Sequence, residues 1–78
     1  MFLLTIAAID TVLFRGTVTS VNCPAVEGEV TILSHHTPFI TSLKKGSIRA
    51  ETFDKEQKVF FIEKGLLAVH KNEAVILI

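Results

Sequence analysis

The sequence has no tryptophan and no tyrosine, a single cysteine, two prolines and four glycines in 78 residues. With Cys23 alone, no internal disulfide can form, so packing and backbone hydrogen bonds must hold the fold. Near Val21 and Pro24, that cysteine reads as a small buried hydrophobe rather than a nucleophile. Neither sign of charge is in excess: eight basic and eight acidic side chains give a formal net charge of zero. No basic stripe exists to displace counterions from a phosphate backbone, which excludes nucleic acid as a partner. No apolar run approaches the ~18–20 residues of a membrane-spanning helix. The apolar opening, residues 2–9, lacks a cationic lead-in and is cut off by Asp10, so it is not a signal peptide. The chain is read as soluble or peripheral. No Ser/His/Asp or Cys/His constellation, phosphate-cradling glycine loop or HExxH motif is present. Neither catalysis nor a cofactor is expected.

What is there is hydrophobicity without a membrane pattern. Hydrophobic residues make up 49% of the chain and mean hydropathy is +0.49. A single domain this short has a thin core, and such excess suggests an apolar patch kept for a neighbour. Periodicity is two rather than 3.6. Ile48 and Ala50 alternate with Arg49 and Glu51, and Leu67 and Val69 alternate with Ala68 and His70. Val75 and Leu77 oppose Ala74, Ile76 and Ile78, a run apolar on both sides. Turn signals recur at Asp10-Thr11, Arg15-Gly16, residues 24–28, Lys44-Lys45-Gly46, residues 53–56, Lys64-Gly65 and residues 71–73. Together these predict an all-β fold, a small two-layer β-sandwich of about eight to ten short strands in one domain over residues 1–78. Val18 and Val21 break the alternation within one extended run. A β-bulge near Thr19 and Ser20 would return both to the core. Residues 2–9 and 60–62 are apolar on both faces and are expected to include a contact surface.

Three blocks then stand in a fixed order. Leu13-Phe14-Arg15-Gly16-Thr17-Val18 is followed by Gly28-Glu29-Val30-Thr31-Ile32-Leu33-Ser34-His35-His36-Thr37-Pro38, and then by Leu43-Lys44-Lys45-Gly46. The composite, (V/L)-F-x-G-x-V, G-E-x-x-I-L-x-x-H-x-P and L-x-x-G, resembles the N-terminal β-sandwich domain of the epsilon subunit of F-type ATP synthase. The likeness runs from about Leu4 to Ile78. It implies a non-catalytic coupling piece of the central stalk, with the gamma subunit and the c-ring as partners. It also implies a peripheral place on the cytoplasmic face of a bacterial plasma membrane. Longer members continue into a two-helix hairpin that restrains ATP hydrolysis. This chain stops at Ile78 inside its last strand and is expected to be a natural short form. Thr31 stands where the family usually has Gly, Ser34-His35 where it has Pro-Gly, and Glu63-Lys64-Gly65 where it tends to Ser-Gly-Gly.

The candidate residues keep two readings each. Glu27, Gly28 and Glu29 are a solvated turn on their own chemistry, and the resemblance turns them toward the c-ring. His35 and His36 sit on opposite faces of extended chain and lack further ligands, so no metal site is expected. His36 and Pro38 either fix a loop or, by resemblance, pack near gamma. Ala8 and Thr41 join His36 as gamma-facing by resemblance. Pro38, Gly16 and Gly46 are expected as structural loop residues. Residues 51–55 echo the hairpin tip of lipoyl and biotinyl carrier domains, with Lys55 as the modified residue. Phe53 and Glu56 spoil that motif, and a charged turn built on Asp54 explains it. A swinging-arm carrier and a β-barrel interaction module remain the rival functions.

Overall fold

Alternation decides the architecture, and β-branched residues fill it. The computed structural model describes residues 1–35 and 37–78, and these contain eight strands and no helix. In chain order they are β1 (Phe2–Ala7), β2 (Val12–Ala25), β3 (Gly28–Leu33), β4 (Phe39–Leu43), β5 (Gly46–Thr52), β6 (Gln57–Ile62), β7 (Gly65–His70) and β8 (Glu73–Leu77). The hydrogen-bonded order is β1-β8-β7-β4-β2-β5-β6, with β3 also on β2 and β1 closing back onto β2. One layer is the first half of β2 with β1, β8, β7 and β4. The other is the second half of β2 with β3, β5 and β6. β1 and β8 pair in parallel, whereas the remaining pairs are antiparallel.

A single strand serves both layers because it is bulged. β2 runs for 14 residues, longer than the short strands expected. Its register against β5 slips between Val18 and Ser20, where Val18 faces Thr52 and Ser20 faces Glu51. The extra residue is Thr19, whose hydroxyl donates to the Glu51 carbonyl at 3.1 Å. The slip re-aims the strand so that Val18 and Val21 are both fully buried. The core is then contiguous: Phe2, Leu4 and Ile6 of β1 meet Val21, Ile32, Ile48, Leu67 and Ile76 from both layers.

One expected turn is not a turn, and another is shorter than expected. Arg15 and Gly16 lie inside β2, opposite Thr5 and Leu4. A Cβ on Gly16 would stand 3.3 Å from the Phe14 ring, so its small size belongs to strand packing rather than to a loop. Pro24 likewise sits in β2 opposite Glu29, and the real β2–β3 turn is Val26 and Glu27. Gly46 opens β5 directly after the Lys44-Lys45 connection, and Pro38 immediately precedes β4. The turn on Asp54 stands as expected. The Thr52 hydroxyl bonds the Asp54 carboxylate and holds that carboxyl below its ordinary pKa, while Lys55 closes the turn at φ 68.

Cys23 is fully buried, and desolvation pushes its thiol up to about 12. Thr31 holds ordinary strand geometry in β3, and its hydroxyl accepts from Asn22 Nδ2 at 2.9 Å. The neighbouring departure is conformational instead. His35 takes the left-handed region at φ 64, a conformation that favours Gly or Asn.

Candidate interaction surface

Residues opposite one another in a ladder share a face, so the registers identify what the outside of the first layer presents. One outward row reads Ser42, Leu66, Leu77, Ala7 and Val12 across β4, β7, β8, β1 and β2. The next reads Ile40, Ala68, Val75, Thr5 and Arg15. Leu77 is 50% exposed, Val12 60% and Ile40 70%, on a face where soluble domains usually place polar groups. Two adjoining turns extend this apolar surface. The β1–β2 turn carries Ile9, which is 100% exposed, and is closed by the Ala8 N–H donating to the Thr11 carbonyl at 2.7 Å. The β2–β3 turn carries exposed Val26, whose N–H donates to the Ser42 carbonyl at 3.0 Å.

Next to this surface lies an open groove of about 460 Å³, lined by Ser42, Leu43, Gly65, Leu66, Leu77 and Ile78. Lys64 stands at its margin, with Lys44 and Lys45 exposed beside Leu43. The end of β8 is tied down at this point, since the Ile78 N–H donates to the Ala7 carbonyl at 2.9 Å. The result is an apolar rim assembled from five chain segments, flanked by lysines and by the Glu27 and Glu29 carboxylates. It has the makeup of a docking surface. Among the described residues, no set of three or more His, Cys, Asp or Glu side chains is placed to hold a metal ion. No helix of the described residues is long and apolar enough to cross a membrane.

The sequence-selected residues fall on this rim unevenly. Glu27, Gly28 and Glu29 are all exposed at the β2–β3 turn, with Gly28 at φ 129. Ala8 is half-buried in the β1–β2 turn. Thr41 is half-buried on β4, but it lies in the row of Leu67, Ile76 and Ile6, so its side chain belongs to the margin of the core. His36 lies outside the described residues. Leu66, Leu77, Ile9 and Val12 were not singled out one by one. The signal for Leu77 was the final run, apolar on both sides; the signal for Ile9 was the apolar opening.

The comparisons with known proteins bear on the whole length. The family model described as ATP synthase, Delta/Epsilon chain, beta-sandwich domain matches residues 1–78. The chain belongs to this family. It is 37% identical over 76 residues to the ATP synthase epsilon chain of Chlorobium limicola, covering 97% of this chain and 86% of that one. It is 38% identical over 68 residues to the ATP synthase epsilon chain of Dichelobacter nodosus, covering 87% of this chain and 48% of the relative. The chain thus spans about half the length of the D. nodosus protein and nearly all of the C. limicola one. Among solved structures, it superposes on a chain of the Euglena gracilis mitochondrial ATP synthase (OSCP/F1/c-ring). That superposition has a TM-score of 0.92 at 20% identity and covers 97% of this chain and 49% of that chain. A chain of the Tetrahymena thermophila mitochondrial ATP synthase central stalk and c-ring gives a TM-score of 0.78 at 19% identity, with 96% and 60% coverage. At those identities the structures speak for the delta/epsilon sandwich fold alone. Family membership displaces the carrier-domain reading of Lys55.

Proposed function

We propose that this chain forms the β-sandwich part of an ATP synthase epsilon subunit, clamping the gamma subunit onto the c-ring without taking part in chemistry. The observation that carries this is the family match over residues 1–78, together with an apolar rim in place of a catalytic site. In the proposed division of the surface, the β2–β3 turn with Glu27, Gly28 and Glu29 faces the polar loops of the c-ring. Exposed carboxylates there set register and docking rate more than affinity. The β1–β2 turn with Ala8, together with half-buried Thr41 on β4, faces gamma, where apolar burial supplies the affinity. The chain is then peripheral to the membrane through the complex, on the cytoplasmic face of a bacterial plasma membrane.

The test is co-purification of the 78-residue chain with its cognate gamma subunit and c-ring. Ala8→Asp places a charge in the gamma contact while leaving every strand untouched, and should weaken gamma binding about tenfold or more. Thr41→Asp is the poorer probe, because the core margin it occupies couples binding to stability. Wild-type chain that captures no gamma would refute the reading, and an unaffected Ala8→Asp variant would show the gamma face to lie elsewhere.

A further inference from the structure

Among the described residues, β6 has one hydrogen-bonded neighbour, β5, and its other edge is open along its length. That edge is also apolar. The strand reads Gln57-Lys58-Val59-Phe60-Phe61-Ile62, with no proline or glycine to interrupt pairing. Phe60 and Ile62 face the core, and the Phe60 ring packs on Phe14 at a centroid distance of 5.9 Å. Val59 and Phe61 face outward, and Phe61 is 85% exposed. The Thr52 N–H donates to the Glu56 carbonyl at 2.8 Å and the Thr52 carbonyl accepts from the Lys55 N–H at 3.0 Å, a bulged hairpin end in which the backbone groups of Thr52 and Glu56 point toward each other. Antiparallel pairs alternate, so Lys58, Phe60 and Ile62 spend their backbone groups on β5. Gln57, Val59 and Phe61 therefore present free N–H and C=O groups to the open side.

We propose that this edge pairs with the same edge of a second copy of the chain, antiparallel about a two-fold axis through Phe60. Self-complementarity singles out the second copy as the occupant. With Phe60 on the axis, outward Val59 meets outward Phe61 of the other copy, and both carry unsatisfied backbone groups at matching positions. Glu56 just before the strand comes toward Lys64, in the bend just after it, at both ends of the ladder. Moving the axis to Val59 sets Glu56 against Ile62, and moving it to Phe61 sets Lys58 against Lys64. A one-residue slip would bring inward positions against outward ones. Lys58 is the sole cation within the strand, and Glu56 of its own chain holds its ammonium at 3.4 Å. The contact is isologous and closed, so it stops at a dimer. One strand pair belongs to the interfaces below about 1,200 Å², so association is expected only at high micromolar concentration and above. This self-pairing concerns the free chain and does not depend on the proposed role in the rotary complex.

Sedimentation of the free chain over a concentration series tests it, with far-UV circular dichroism as a check on folding. A reversible monomer–dimer equilibrium is expected, and Phe61→Lys should weaken it at least about tenfold without altering the fold. Glu56→Lys or Lys64→Glu alone should weaken it, and the double exchange should restore it. A chain that stays monomeric throughout overturns the proposal and shows Lys58 to guard the edge. A dimer indifferent to Phe61→Lys, or a double exchange that restores nothing, also overturns it.

Discussion

Gly65→Ala asks whether the rim is a packed structure or a loose fringe. Gly65 opens β7 opposite Leu43, and a Cβ added there would stand 2.8 Å from the Leu77 carbonyl oxygen and 3.2 Å from Ile78 Cγ2. Ordinary contact begins near 3.4 Å, so the Leu77 carbonyl must retreat by about 0.6 Å. That oxygen belongs to backbone anchored on both sides. Leu77 pairs with Leu66 on β7 and with Ala7 on β1, and the next N–H, that of Ile78, is bonded to Ala7. Overpacking of this kind costs about 1–3 kcal/mol. Loss of glycine freedom in the unfolded chain returns about 0.4–1 kcal/mol. The net is about 1–2 kcal/mol of destabilisation, a fall in Tm of about 5–15 °C for a domain of this size. Thermal and urea unfolding followed by circular dichroism would measure it. Gly16→Ala is the comparison, because its Cβ would meet only the half-buried Phe14 ring at 3.3 Å, a side chain rather than hydrogen-bonded backbone. A Gly65→Ala variant as stable as the Gly16→Ala one would refute the reasoning and mean that the end of β8 yields freely.

Two further outcomes follow from buried groups. Thr5 is nearly inaccessible and its hydroxyl finds no hydrogen-bond partner among the described residues, so Thr5→Val should stabilise the domain by about 1 kcal/mol, read as a higher Tm. A lower Tm would reveal a partner for that hydroxyl. The Cys23 thiol, raised from an ordinary 9.0 to about 12, stays protonated in the fold over a range where the unfolded chain ionises. The folded state therefore binds more protons between those values, and stability should decline as pH rises above about 9, a slope that Cys23→Ala should lack. Equal slopes for the two proteins would show that the thiol is not held by burial.

Much of the fold was legible because its signals are local. Period-two alternation in residues 48–51 and 67–70 matches the burial of Ile48, Ala50, Leu67 and Val69. The broken spacing of Val18 and Val21 disclosed the bulge, since only an inserted residue returns both to one face. Glycine misled where its small size mattered more than its flexibility. Gly16 looked like a turn residue, yet it is a strand position narrowed by its own neighbour Phe14. Pro24 looked like the start of a loop, yet it occupies β2 where the strand runs out and Lys44 donates its N–H to the Pro24 carbonyl at 2.8 Å.

The surface was legible only in part, for a reason set by topology. Alternation states which side of its own strand a residue occupies, but not which strands lie beside it. Leu66 and Leu77 each read as an ordinary strand position. They become a groove only because β7 and β8 pair with Leu66 opposite Leu77, and because β4 and β1 flank them. The carboxylates of Glu27 and Glu29 were visible as a turn, and their nearness to the groove comes from the Val26 N–H bonding the Ser42 carbonyl. Thr41 shows the converse. Half-buried, it shares a row with Leu67, because the β4–β7 register, which no local pattern encodes, sets its face. A binding surface built from five segments is therefore a property of the pairing, and its test must perturb positions chosen from the ladder rather than from the sequence run.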